Sequence, residues 1–371
     1  MTTELKSPAK IEQHPALELH NATTTLTTHE QIGFELGWDY AHHAVTPPAP
    51  YAQEPSALRN GWLAGQATFG RRTLEPTRHV RKWLQLRLNA WLRGRSVELV
   101  QVTPHYLQQI DVTHCPITRV ALSSATMEGS DASIDRVRSD AGYAAGNLAI
   151  ISTKANHGKA AHGFRDAQRF AKLIEEGQLG GIGGLNAAQW SRVATLCSFV
   201  EPLSHAEACT LPLLVLPPNR LRLFNPAQAL QAFISQQLLV AGWSHRIARI
   251  EDLLPGKAAR RAFQTFFHAL LPRVLEAKGA EGVAARWAIE DAWRNPLTLQ
   301  RWTAFASLLT AEQCESVVAR ASARKLGTTH VQQVSNDAAT DGWNLESRGY
   351  VPHAVLRQRA VQPARQLSLL H

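Results

Sequence analysis

Three short stretches hold the residues whose types and spacing could do chemistry. Asp135 and Arg136 are adjacent in "SIDRV", Asn147 opens "NLAIIST", and Asn156, His157 and Lys159 lie in "KANHGK". A carboxylate with an amide oxygen is a hard-oxygen donor set, suited to Mg²⁺ or Mn²⁺ rather than Zn²⁺. Arg136 keeps its proton at neutral pH, so it cannot take one from water. It can still hold a phosphate or stabilise developing negative charge. His157, beside Asn156, is the first candidate for a base, and His114, beside Cys115, is the second.

These residues need elements to position them. "SIDRV" alternates like a strand, "SDAGYAAG" is rich in turn residues, and "NLAIIST" is a second, apolar strand. "KANHGKAAHGFRDAQRFAKLIEEG" reads as one helix with Asn156 and Lys159 in its first turns. The order is strand, turn, strand, helix. An Asp–Arg pair bonding its own turn in a surface hairpin is the plainer alternative.

The arrangement "CPIT", "SIDR", "GYAAGNL" and "NHGK" resembles the HNH/treble-clef endonuclease superfamily, most closely its phage endonuclease-VII-like branch. The resemblance covers a small part of the chain. It implies a ββα unit with Asp135 and Asn156 as metal ligands. It also implies Asn147 as the residue that ties the hairpin, Cys115 as the first cysteine of a zinc knuckle, and Lys159 facing a phosphate backbone. Two departures stand out. Thr118, Ser152 and Ala155 occupy the other knuckle positions, so no structural zinc is expected, because such a site needs about four ligands. Arg136 stands where the catalytic histidine belongs, so a catalytic set would be Asp135, Arg136, Asn156 and His157.

The flanks are expected to be helical. "EPTRHVRKWLQLRLNAWLRGR" (75–95) has Val80, Leu84, Leu88 and Trp91 at helical spacing and Pro76 and Gly94 as punctuation. Arg78, Arg81 and Lys82 lie on or beside its other face, with Arg71 and Arg72 upstream, and form a candidate phosphate-tracking surface. Two earlier helices carry the Gly-Trp steps "GWDYA" and "GWLAG", which suggests a close crossing at small residues. This pair faintly resembles the Gly-aromatic repeats of ribosome modulation factor, which binds ribosomal RNA. The fold class is therefore α+β, predominantly α-helical, with a small ββα unit embedded between helical regions. The expected divisions are a disordered tail (1–28), a basic helical region (29–96), the ββα unit (97–176), a Gly-rich linker (177–185), a helical domain (186–330) and a C-terminal tail (331–371). In the helical domain Trp287, Trp293 and Trp302 are expected in the core.

The chain has 371 residues, a formal net charge of +9 and a pI near 9.7, with 30 Arg among 39 basic residues. An Arg-rich basic protein points first to nucleic acid; a GC-rich genome that favours Arg and Ala codons is the competing explanation. Cys115, Cys197, Cys209 and Cys314 form no Cys-x-x-Cys pair, which argues against a disulfide scaffold or a common zinc motif. No apolar run is long enough to span a bilayer, and the first thirty residues lack a signal-like core, so a soluble cytoplasmic protein without a membrane partner is expected. Three functions remain open. The first is metal-dependent nicking of nucleic acid, DNA being favoured over RNA. The second is binding without cleavage. The third is a helical adaptor that recruits a protein partner through 186–330.

Overall fold

The computed structural model describes residues 28–277, 280–327, 331–334 and 337–345. The tail expected over 1–28, apart from Thr28, and the segment beyond 345 lie outside the described residues. The structure is mostly helical with a small two-stranded sheet, in agreement with a predominantly α, α+β class.

The described residues begin with α1 (Thr28–His42), α2 (Ala49–Gln53) and α3 (Ala57–Phe69), followed by α4 (Arg78–Leu92). Ser56 and Thr77 cap α3 and α4 through Arg59 N–H and Val80 N–H. The Gly-Trp steps do bring α1 and α3 into close contact. A Cβ on Gly37 would lie 1.9 Å from the Leu58 carbonyl oxygen, and one on Gly61 would lie 1.9 Å from that of Phe34. No other residue fits there. Leu36 and Leu58 meet Val80, Leu84, Leu88 and Trp91 of α4 in one apolar cluster, the face expected from the sequence. Each such burial contributes roughly 1.5–3 kcal/mol. Arg87, 4% exposed, pairs with Asp39 and stacks over Trp83, which fixes α4 against α1.

A short helix, α5 (Pro104–Gln109), leads to the hairpin of β1 (Ala132–Arg136) and β2 (Leu148–Ser152), antiparallel with Ile134 opposite Ile150 and Asp135 opposite Ala149. Leu148 and Ile150 pack with α5, while Ala149 and Ile151 face the main core. Strand alternation thus gives the hairpin two buried faces, which is why β2 is a continuous apolar run.

The single helix expected after β2 is two helices, α6 (Thr153–Lys159) and α7 (Phe164–Glu175). The chain breaks at Ala160, which has φ +47°, and restarts after Gly163. Then follow α8 (Ala187–Ser198), α9 (His205–Cys209), β3 (Arg222–Leu223), α10 (Pro226–Gln237), α11 (Trp243–Glu251), α12 (Gly256–Leu275), α13 (Gly282–Ala292), α14 (Pro296–Ala306), α15 (Ala311–Ala323) and β4 (Gln332–Gln333). Asn186 caps α8 in a capping box, and Trp293 and Trp302 are fully buried, as expected; Trp287 is half-buried beside His114 and Arg119.

Two divisions drawn from the sequence do not correspond to breaks in packing. The glycine-rich stretch 177–185 is a turn packed on the fold: Leu185 is buried and Trp190 Nε1 donates to the Ile182 carbonyl at 3.0 Å. Core residues run continuously from Cys115 to Trp343, so the ββα unit and the later helices share one interior. The start of the expected C-terminal tail also belongs to the fold. Gln332 and Gln333 pair in parallel with Arg222 and Leu223, and Trp343 is fully buried, its Nε1 donating to the Ala145 carbonyl at 3.0 Å.

Candidate functional site

Side-chain alternation on β1 decides what each residue of "SIDR" can do. Ser133 and Asp135 point to the face covered by α6, and α6 answers with two residues three positions apart. Asn156 Nδ2 donates to Ser133 Oγ at 2.7 Å, and Lys159 Nζ meets Asp135 at 3.3 Å (Oδ1) and 3.1 Å (Oδ2). Lys159 Nζ also donates to the Arg136 carbonyl at 2.9 Å and to Ser139 Oγ at 3.3 Å. Lys159 is 0% exposed and Asp135 5%, so this is a buried ion pair whose ammonium is caged by oxygens. Burial pushes the Asp135 carboxyl above its ordinary range, and the Lys159 ammonium pulls against it.

This corrects two expectations. Lys159 does not face a phosphate backbone; it is the internal counter-ion of β1. Asp135 is not an open metal ligand, because an ammonium already lies against both of its oxygens. A divalent cation placed between Asp135 and Asn156 would compete with that ammonium at close range, and Asn156 is engaged with Ser133. The residues present do not fit the Mg²⁺ or Mn²⁺ site that the resemblance implied. The spacing Asn-x-x-Lys docks α6 onto β1.

Arg136 points the other way. Its Nη1 donates to the Ser139 and Ala141 carbonyls at 2.8 and 2.7 Å, and its guanidinium lies over the Tyr143 ring at 5.2 Å. The arginine therefore organises the hairpin loop, as the plainer alternative anticipated, although its partners are carbonyls and not Asp135. Asn147 has the expected role. It accepts from Arg138 N–H at 2.8 Å and donates to the Arg138 and Gly142 carbonyls.

The four knuckle positions also converge. Cys115 Sγ accepts from Thr118 N–H and Ser152 N–H at 3.4 and 3.2 Å, Thr118 and Ser152 hydroxyls lie 3.2 Å apart, and Ser152 Oγ caps α6 through Ala155 N–H. Hydrogen bonds hold the Cys115 turn to the start of α6.

An open groove of about 1180 Å³ lies between α4 and the ββα unit. Arg78, Arg81 and Lys82 of α4 and Arg93 at its C-cap line one wall; Ser133, Arg136, Asn156 and His157 line the other, with the edge of Asp135 between them. His157 is exposed there. The basic residues are not equally available. Lys82 donates to the Ala132 carbonyl and so bridges the walls, and burial, reinforced by Arg78, lowers its pKa. Arg78 lies 3.7 Å from Asp111 but is 57% exposed. Arg71 and Arg72 are exposed in the turn after α3 and do not line the groove.

Sequence reasoning missed part of this surface. Gln85 and Asn89 lie with Arg81 and Arg93 along a four-residue helical row, so the periodicity that marked Arg81 could have extended the stripe. The rim loop 123–131 carried no recognisable signal. Among the described residues no cluster of three or more His, Cys, Asp or Glu side chains is placed to hold a metal, and no helix is long and apolar enough to cross a membrane.

No protein-family model, curated protein or solved structure matches this chain. The groove and its chemistry therefore carry the functional reading alone.

Proposed function

We propose that the protein binds nucleic acid in the groove between α4 and the ββα unit, and that the ββα unit serves there as a rigid wall. The observation that carries this reading is the row Arg78, Arg81, Lys82 and Arg93 on one side of the groove, facing Arg136 on the other. Cations on both walls of a cleft suit a polyanion, and polar Gln85, Asn89 and Asn156 between them can contact sugar or base edges. Duplex DNA is the favoured partner over RNA.

Cleavage is the second reading. It is supported by His157, exposed in the groove next to Asn156, and it inherits the resemblance to HNH nucleases. It is opposed by the Lys159–Asp135 pair and by the loop-bound Arg136, which leave the groove without an open carboxylate ligand.

The test is fluorescence anisotropy of labelled duplex DNA and duplex RNA over a range of NaCl concentrations. Each phosphate contact contributes about 0.9 to the slope of log affinity against log salt. Replacing Arg78, Arg81 and Arg93 together with Ala removes up to three contacts and should flatten the slope by about 3. An unchanged slope and affinity would return α4 to an ordinary solvated face.

A further inference from the structure

One feature of the groove rim is not accounted for by phosphate binding. Met127 stands at the tip of the loop 123–131 and is 98% exposed, the most exposed of the large apolar side chains described. It lines the groove opposite the Arg-bearing face of α4. The loop that carries it is tightly built. Asp131 accepts from Met127 N–H at 2.8 Å, from Thr126 N–H and Oγ1 at 3.0 and 2.8 Å, and from Ser123 Oγ at 2.8 Å. Burial pushes the Asp131 carboxyl up, but the hydrogen bonds from Thr126, Ser123 and Met127 outweigh it and bring its pKa down to about 2. The base of the loop is pinned to the start of α6 by Thr153 N–H on the Asp131 carbonyl and Lys154 N–H on that of Gly129, at 2.8 and 2.9 Å.

The backbone is strained to hold this shape. Ala125 and Met127 have φ of +58° and +62°, a region that L side chains rarely adopt. Such conformations persist only where the surroundings over-determine them. Here they present one flexible, polarisable thioether to solvent at the edge of a cationic cleft. Neighbouring Glu128 adds a negative charge that disfavours a backbone phosphate at the tip. An apolar tip suits stacked bases better, and proteins that bend DNA insert Met, Leu, Ile or Phe between base steps in this way.

We propose that Met127 is a wedge that enters a base step of duplex DNA lying in the groove, unstacking and kinking it; the proposal rests on the nucleic-acid reading above. The phosphates of the same duplex lie on Arg78, Arg81 and Arg93. Pyrimidine–purine steps, which unstack most readily, are the preferred entry points.

The test uses the full chain and duplexes that each carry 2-aminopurine at one successive TpA or CpA step, with donor and acceptor dyes at the ends. Wild type should raise 2-aminopurine emission severalfold at such steps and bend the duplex by about 20–90°. Met127→Ala, a change at a fully exposed position, should bind with the same salt slope while emission and dye distance stay at free-duplex values; Met127→Leu should retain both signals. Emission from Met127→Ala equal to wild type overturns the proposal. Wild-type binding without unstacking at any step also overturns it and leaves the groove reading standing. Failure of wild type to bind duplex DNA overturns it too, and failure to bind duplex RNA as well overturns the groove reading with it.

Discussion

Removing one member of the Lys159–Asp135 pair should unfold the ββα unit far more readily than removing both. Lys159 is 0% exposed and its three N–H donors meet Asp135, the Arg136 carbonyl and Ser139 Oγ, so its charge is fully matched inside the fold. Breaking a buried pair by deleting one partner costs about 3–5 kcal/mol, because the other charge stays buried without compensation. Lys159→Met therefore strands the Asp135 carboxylate, and Asp135→Leu strands the ammonium. The double change Asp135→Leu with Lys159→Met removes both charges and forfeits only the hydrogen bonds to the Arg136 carbonyl and Ser139, roughly 1 kcal/mol each. The three variants should give a coupling energy of several kcal/mol in urea denaturation followed by tryptophan fluorescence. The pH dependence has a definite sign. Burial raises the Asp135 pKa in the folded state, so its contribution to stability is full below the unfolded value near 3.9 and is lost as pH rises through the folded value. In Lys159→Met, without the opposing ammonium, the loss should reach about 1.4 kcal/mol per pH unit across that window. Single variants each costing under about 1 kcal/mol, with no pH slope, are inconsistent with a sealed pair and would reopen Asp135 as a solvent-facing ligand.

Three further outcomes follow from the same geometry. Arg136→His gives up two charge-assisted bonds to the Ser139 and Ala141 carbonyls and should lower stability by about 1–3 kcal/mol without creating Mg²⁺- or Mn²⁺-dependent nicking of supercoiled plasmid; nicking by this variant that Asp135→Ala abolishes would restore the metal-site reading. Thr118→Cys, Ser152→Cys and Ala155→Cys together should join Cys115 in a thiolate site that takes up Co²⁺ with tetrahedral absorption bands, since these positions already meet through hydrogen bonds; absence of those bands would show that the four side chains do not converge. Gly37→Ala or Gly61→Ala puts a Cβ 1.9 Å from a carbonyl oxygen and should cost about 3 kcal/mol or more, whereas Gly180→Ala, with open space around it, should leave the melting temperature unchanged.

Much of the scaffold was legible because local pattern and tertiary role coincide. The face of α4 follows its 3.6-residue repeat, the α1–α3 crossing follows its glycines, and β2 follows from an apolar run that the fold buries on both sides. The site was less legible because it depends on which side of a strand each residue takes. A lysine is exposed by default, and nothing local to "NHGK" announces that Asp135 waits as its partner on the strand that α6 covers. Asp135 invited a metal reading for the same reason: its chemistry was visible and its counter-ion was not. The helix break at Ala160 and the loop of Ala125 and Met127 rest on positive-φ residues that are not glycine, so the residue types do not mark them. Trp343 carries no local sign of its place in the core because its binding site is made by residues far upstream.

That distant contact sets a schedule for synthesis. Trp343 donates to the Ala145 carbonyl across a separation of 198 residues, which at about 5–20 residues per second corresponds to roughly 10–40 s on the ribosome. During that interval the β1–β2 hairpin and the Arg136 loop can form, but the face that receives Trp343 stays uncovered. The packing around the hairpin loop is completed only when the last described segment arrives. A chain interrupted before residue 343 would leave this apolar socket exposed, the kind of surface that chaperones and proteases recognise.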